Sequence, residues 1–445
     1  MTGNVTVAHR ALVVGLAVTG EAVARQLVRR GIEVIAVDDS PTDETRARAA
    51  ALGVPLVERP VLSELGRLVD SVDLVLPSPG VPAHHAVFAL AAERSLRVWS
   101  EFELAARWSS LPLVAITGTN GKTTVTTLVV DMLARAGRKT IAAGNTEVPL
   151  VAALDLDLDV AVVEASSFRL QLTETFHPSV AVWLNLAEDH LDWHPSMSAY
   201  SAAKAAIWAH QRGDDLAVVN ADDPAVMAAA AEAPARVQRF SIAGPADWWW
   251  DRAAGVLAGP DGMVMASVGE MRRSLPHDIA NALAACAAAT AAGATVEACR
   301  DALASFAGLP HRITLVREAG GVRYYDDSKS TTPASVLAAV AGFDSVVLIA
   351  GGLNKQLDLT VLGTTSPPVH AVVAIGQAQQ EVSAAFAGRV PVVAADDMDG
   401  AVAAAAAAAR PGDAVLLSPG CASFDQFDNY AHRGDEFARA VRALP

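Results

Sequence analysis

Residues 117–124 read TGTNGKTT and follow the apolar run 111–116 directly. Glycines, a lysine and paired threonines where a buried strand feeds a helix are the residue types that hold phosphate. Backbone N–H groups at a helix start point at an anion, and the helix dipole adds attraction. Lys122 supplies a mobile positive charge for phosphate oxygens, and Thr123 a hydroxyl suited to Mg²⁺. Gly118, Thr119, Asn120, Gly121 and Thr124 complete the cradle. The standard phosphate loop needs a glycine five residues before the Gly121-Lys122 pair, where Ile116 stands. Gly118 is only three residues before, so this loop is tighter. An ordinary strand-to-helix turn is the plain alternative.

Further residues add chemistry. Glu164 ends the run VAVVE, within EASSF, and an acid at a strand end beside a phosphate loop is placed for Mg²⁺, directly or through water. NLAEDHLDWH (185–194) follows another apolar strand with a dense cluster of acids and histidines. A lone histidine is more often structural, but His190 is flanked by Asp189 and Asp192. Lys204 lies beyond, in the helical stretch SAAKAAIW.

GLAVTG (15–20) sits where a dinucleotide fingerprint would, but Ala17 replaces the glycine that lets the backbone approach a pyrophosphate. The expectation is phosphate binding by Val18, Thr19 and Gly20, not NAD; a plain structural turn stays open. Asp38 and Asp39 end the next strand, placed to accept from a ribose or uracil group. Ser78 and Gly80, in the SPGV loop, end a later strand on the same sheet edge.

Positioning these groups requires α/β architecture. Apolar strand runs alternate with helical segments, the pattern of parallel sheets with right-handed crossovers. At 445 residues the chain is too long for one core. Three consecutive α/β domains are expected: a Rossmann-like one over 1–104, a P-loop-type ATPase over 105–309 and a second Rossmann-like one over 310–445. Residues 239–271 read as hairpins, with Trp248-Trp249-Trp250 as a local apolar cluster. Residues 402–410, nearly all alanine, read as a solvated or loosely packed helix. Net charge is −15, which disfavours a nucleic-acid partner. No apolar run is long enough to span a membrane, and the start lacks a secretory core, so a cytoplasmic protein is expected. The three cysteines show no metal spacing and read as free thiols.

TGTNGKTT, EASSF, NLAEDHLD and the downstream Lys204 resemble the Mur ligase family, in its motif order and over almost the whole chain. The resemblance implies ATP-dependent joining of an amino acid to a peptidoglycan precursor, with two Mg²⁺ ions. It implies Thr123, Glu164 and His190 as metal ligands, and Lys204 carrying a CO₂-derived carbamate as a further one. It implies catalytic roles for Lys122, His190, Lys204 and Lys329, and an ATP site that includes Asn281, Arg312 and Asp327. Asn145 in GNTEV matches the family's GNIG segment, with Thr146 and Glu147 departing from it. Asn145 and Ser166 are implied to reach the UDP-linked substrate. In PHDIANALAA, Asn281 is kept where Asp278 departs from the usual Asn.

DDSKSTTP, GGLNKQLDL and SPGCASFDQFDNYAHRGDEF resemble the D-glutamate-adding branch. They imply UDP-N-acetylmuramoyl-L-alanine and D-glutamate as substrates, and Thr331, Lys355, Ser423 and Tyr430 as glutamate contacts. A monomer is expected. The competing expectations are another Mur-type ligase, a folylpolyglutamate-type ligase, which lacks a full-length first unit, and, from another class, an NAD-dependent oxidoreductase.

Overall fold

The computed structural model describes residues 7–191 and 193–445. Its strands form three sheets. In the first, five parallel strands are ordered Leu56–Glu58, Glu33–Asp38, Arg10–Val14, Leu74–Pro77, Arg97–Val98. The second has nine strands. Its parallel part runs Trp248–Asp251, Arg236–Ser241, Leu216–Asn220, Val180–Trp183, Leu113–Thr117, Val160–Glu164, Thr140–Gly144. The third is ordered Thr314–Ala319, Val322–Asp326, Ala414–Leu417, Val346–Gly351, Val369–Ile375, Val392–Ala395, antiparallel only at its first pair. The central strands LVAIT, VAVVE and AVLL are buried along their whole length. Strands covered on both faces read as continuous apolar runs, which is why they were visible in the sequence.

The chain folds into two compact units. One holds the first two sheets and comprises the chain up to Leu186, His190–Met271 and Ala280–Ser305; the other holds the third sheet and comprises Ala187–Asp189, Arg272–Ile279 and Phe306–Pro445. Position 104 falls inside the helix Glu101–Trp108, whose Glu103 carboxylate accepts from the Glu174 and Thr175 amides. No helix among the described residues is long and apolar enough to cross a membrane.

Of two local expectations, the hairpins over 239–271 are present and the loosely packed alanine helix is not. Trp248–Asp251 is a strand that continues the second sheet, pairing antiparallel with Val256–Ala258. Trp248 is buried and donates to Gln238 Oε1 at 3.0 Å. The alanine-rich helix Met398–Ala408 is not loosely packed, as its composition suggests. Ala401, Val402 and Ala405 are buried in the core of the third sheet. Small side chains there let the helix approach the strands closely, so poor apolar bulk hid a close-packed face.

Candidate active site

Each sheet offers a ligand position at the carboxyl ends of its strands, where the strand order reverses. In the second sheet Leu113–Thr117 lies between Val160–Glu164 and Val180–Trp183. The phosphate loop, Glu164 and Asn185 therefore emerge side by side. Gly121 caps the helix Lys122–Arg135 in the left-handed region at φ +86°. A Cβ there would come within 2.6 Å of Asn281 Oδ1, and one on Gly118 within 3.0 Å of Leu184 Cβ. Both positions thus require glycine, and Asn281 lies against the loop.

Asn185 staples the loop from the next strand. The Asn120 amide donates to its Oδ1 at 2.8 Å, its Nδ2 donates to Asn120 O at 3.1 Å, and the Thr119 amide reaches Asn185 O at 3.1 Å. Sequence reasoning passed over this residue, although it opens the NLAEDHLD motif. Lys122 Nζ donates to Gly118 O at 2.7 Å and to Thr119 O at 2.9 Å. Lys204, only 1% exposed, donates to the same Gly118 carbonyl at 2.9 Å. Its ammonium sits 4.5 Å from the centre of the Tyr200 ring. Two cations far apart in sequence thus meet at one carbonyl of the phosphate loop.

Glu164 is buried. One carboxylate oxygen accepts from Asn145 Nδ2 at 2.9 Å, while Oε2 is buried and has no hydrogen-bond partner among the described residues. An orphaned anionic oxygen is the donor type Mg²⁺ takes, so this residue fits the ion the family implies. His190 has a left-handed backbone, φ +55°, and its ring packs edge-on against Phe168 with centroids 4.7 Å apart. Asp192, its expected neighbour in charge, lies outside the described residues. Among the described residues no three His, Cys, Asp or Glu side chains gather as a metal cluster. Ser166 is buried and its hydroxyl also has no partner among the described residues.

At the first sheet, Val18, Thr19, Asp38, Asp39, Ser78 and Gly80 line one crevice of about 520 Å³. Gly20 packs so close to Gly15 that a Cβ would meet its carbonyl oxygen at 1.9 Å. Ser78 Oγ donates to that carbonyl at 2.6 Å. Asp38 already accepts from the Leu16 amide at 3.0 Å and the Ser40 amide at 2.9 Å. It therefore shapes the loop, and Asp39 pairs with His85 Nε2 at 2.9 Å. Arg169, missed in the sequence, reaches this crevice from the second sheet. It donates to Asn145 Oδ1 at 2.8 Å and touches Thr19 Oγ1 at 3.5 Å. Only its position five residues after Glu164, in EASSFRL, could have signalled it.

In the second unit the loops after Asp326, Leu417 and Gly351 leave three adjacent strands. They carry Asp327, Lys329 and Thr331, then Ser423, then Lys355. Arg433, fully buried, ties two of them together: it donates to Ser328 O at 2.8 Å, Ser328 Oγ at 2.9 Å and Cys421 O at 3.1 Å. Burial among neutral acceptors lowers its pKa to about 10. Asp327 is buried and accepts from Ser330 Oγ at 2.6 Å and Ser418 Oγ at 2.8 Å. Burial still prevails and raises its carboxyl to about 6. Lys329 Nζ lies 5.0 Å from the centre of the Tyr430 ring. Lys355 is exposed and Ser423 buried. Burial also pushes the Cys421 thiol up to about 12. Asp278 holds Arg273 at 3.0 Å, a structural pairing. Arg312 belongs to this unit, in the turn before Thr314–Ala319.

A glycine-hinged phosphate loop beside an orphaned carboxylate, in a chain of three largely parallel sheets, defines a multidomain α/β protein with a candidate phosphate site. The family model "Mur ligase middle domain" matches residues 116–289, and "Mur ligase, glutamate ligase domain" matches residues 311–421. The chain is 41% identical over 453 residues to the UDP-N-acetylmuramoylalanine--D-glutamate ligase of Desulfosudis oleivorans, covering 98% of this chain and 96% of that protein. It is 43% identical over 455 residues to the protein of the same name in Frankia casuarinae, covering 97% and 93%. Among solved structures, a pseudomurein peptide ligase type C from Methanothermus fervidus superposes with a TM-score of 0.64 at 16% identity, covering 98% of this chain and all of that one; it shows the shared fold. The chain belongs to the Mur ligase family.

Proposed function

We propose that this chain is an ATP-dependent ligase that adds D-glutamate to UDP-N-acetylmuramoyl-L-alanine, in the cytoplasm, as a step of peptidoglycan precursor synthesis. The observation that carries this reading is near-full-length identity of about 40% to ligases named for that reaction, on a chain that keeps the phosphate-loop cradle. In this reading residues 1–104 bind the UDP-linked substrate, 105–309 bind ATP and 310–445 bind the amino acid. In this reading the working unit is a monomer.

The loop amides of residues 118–124 and Lys122 would take the β- and γ-phosphates, with Lys122 exchanging its two loop carbonyls for phosphate oxygens. Asn281, Arg312 and Asp327 would contact the remainder of ATP. Thr123, Glu164, His190 and a carbamate on Lys204 would hold two Mg²⁺ ions, whose charge would offset that of the transferred phosphoryl group. An ammonium at Lys204 would repel those ions; its carbamate offers anionic oxygens instead. The L-alanyl carboxylate attacks the γ-phosphorus, the bond to ADP breaks, and an acyl phosphate results. The D-glutamate amine would then lose a proton, to His190 or to another local group, and attack the acyl carbon as phosphate leaves. Catalysis here is positioning and electrostatics. Thr331, Lys355, Ser423 and Tyr430 would hold the incoming amino acid and its two carboxylates, with Lys329 beside the phosphoryl group.

The test is phosphate release from ATP with UDP-N-acetylmuramoyl-L-alanine and a panel of amino acids, both glutamate enantiomers included. Turnover with D-glutamate alone is the expected result. Turnover with L-alanine or a diamino acid instead moves the chain to another branch of the family, and nicotinamide reduction removes it from the ligases.

A further inference from the structure

The second sheet borders a cavity that shares no residue with the candidate active site. It holds about 710 Å³, more than the first-sheet crevice, and lies at the amino ends of Leu113–Thr117 and Val180–Trp183. The phosphate loop leaves the opposite, carboxyl end of Leu113–Thr117. That strand puts about 15 Å between the two places. The volume falls in the range of about 300–1,000 Å³ that small-molecule sites occupy.

The lining is of two kinds. One part is apolar: Ala106 from the helix Glu101–Trp108, Leu111 before the strand, and Leu150 and Leu154 from the helix Leu150–Ala153 and its end. The other part is basic: His177, His210 and Arg212. Among the described residues that line it, none is Asp or Glu, in a protein whose net charge is −15. Cations gathered without acids in an acidic protein make a local field that favours an anion.

The acids bonded to the lining are already engaged. Asp215, 8% exposed, accepts from His177 Nε2 at 2.5 Å and from the Arg212 amide at 2.6 Å. It thereby fixes the imidazole and the backbone that carries Arg212. Glu103, fully buried, accepts from Thr175 Oγ1 at 2.7 Å and from Arg107 Nε at 2.6 Å. The side chains of His210 and Arg212 are exposed and have no hydrogen-bond or ion-pair partner among the described residues. A guanidinium held at its backbone, with its fork unengaged, can take a carboxylate or phosphate bidentately.

We propose that this cavity is a second binding site, for a small anion with an apolar body. The carboxylate or phosphate head meets Arg212 and His210, and the aryl or alkyl body lies against the leucines. The site is independent of the ligase reading.

The test is titration calorimetry of the full chain with 4-phenylbutanoate, 4-phenylbutyl phosphate, 4-phenylbutanol and 4-phenylbutylamine. Both anions are expected to bind, at least about tenfold tighter than the alcohol, and the amine more weakly than the alcohol. The order of the two anions tells a carboxylate site from a phosphate site. Arg212 and His210 are exposed, so Arg212→Gln with His210→Gln leaves the fold in place. That double variant is expected to lose the tenfold advantage of the anions and to bind the alcohol and ATP as the parent does. Ala106→Trp, which fills the apolar part, is expected to abolish binding of all four probes. No binding of either anion by the parent, equal binding of anion and alcohol, or full anion affinity in the double variant would overturn the site. Displacement of the anions by ATP or UDP would place them in the nucleotide sites and overturn it as well.

Discussion

The loop after Thr117 leaves a strand buried along its whole length and the loop after Asp326 one that is only alternately buried, and the two loops are held by opposite means. The first is fixed by its backbone and one neighbour: glycines in conformations that exclude a Cβ, and Asn185 hydrogen-bonded across it. Its cations, Lys122 and Lys204, rest on loop carbonyls that phosphate oxygens can replace. The second loop is fixed by a cation. Arg433 comes from 105 residues away, is wholly buried, and gives its donors to Ser328 and to carbonyls beyond it. A cation on exchangeable acceptors at the mouth of a site is available for chemistry. A cation sealed among carbonyls is scaffolding.

Substitutions at these cations break the comparison most directly. Lys122→Ala is expected to cut amino-acid-dependent phosphate release about a thousandfold or more while binding of the UDP-linked substrate persists. Normal turnover would return the loop to the status of an ordinary turn. Lys204→Ala is expected to lose about a hundredfold or more in kcat and to regain part of it with a short carboxylic acid. Full activity without added acid would remove the carbamate. Arg433→Met should act on stability instead. It leaves Ser328 and the 421–422 carbonyls buried without their donor, at a cost of about 3–5 kcal/mol in denaturant unfolding. An equally stable variant with impaired catalysis would mean that Arg433 belongs to the chemistry.

The smallest expected effect is a pH dependence. The Asp327 carboxyl is raised to about 6 in the folded protein, above its unfolded value. The protonated form is the one the fold favours, so this contribution to stability is present at acid pH and is lost as pH rises through 6. Asp327→Asn removes the dependence. Relative to the parent, the variant should gain up to about 3 kcal/mol between pH 4 and pH 7, read from unfolding midpoints across that range. A difference that is flat in pH, or that favours the parent as pH rises, contradicts the assignment.

The same contrast explains what the sequence made legible. The phosphate loop is a contiguous motif whose glycines, lysine and threonines act within eight residues, so TGTNGKTT announced it. The central strands were readable because burial on both faces leaves no polar alternation. Asn185, Arg169 and Arg433 escaped because their meaning lies in partners far along the chain: Asn120, Thr19 and Ser328. No local pattern marks an arginine that will be buried by the third sheet rather than solvated. The alanine-rich helix misled for a related reason, since composition reports side-chain bulk and not how closely a strand can approach.

The thiols provide each unit with its own clock. Cys286 and Cys299 are buried in the first unit, and Cys421 in the second. Alkylating reagents need an accessible thiolate, so labelling waits for the surrounding structure to open. One mass-spectrometric time course on the unmodified chain therefore times two opening events, and a ligand that seals one unit slows the peptide from that unit alone.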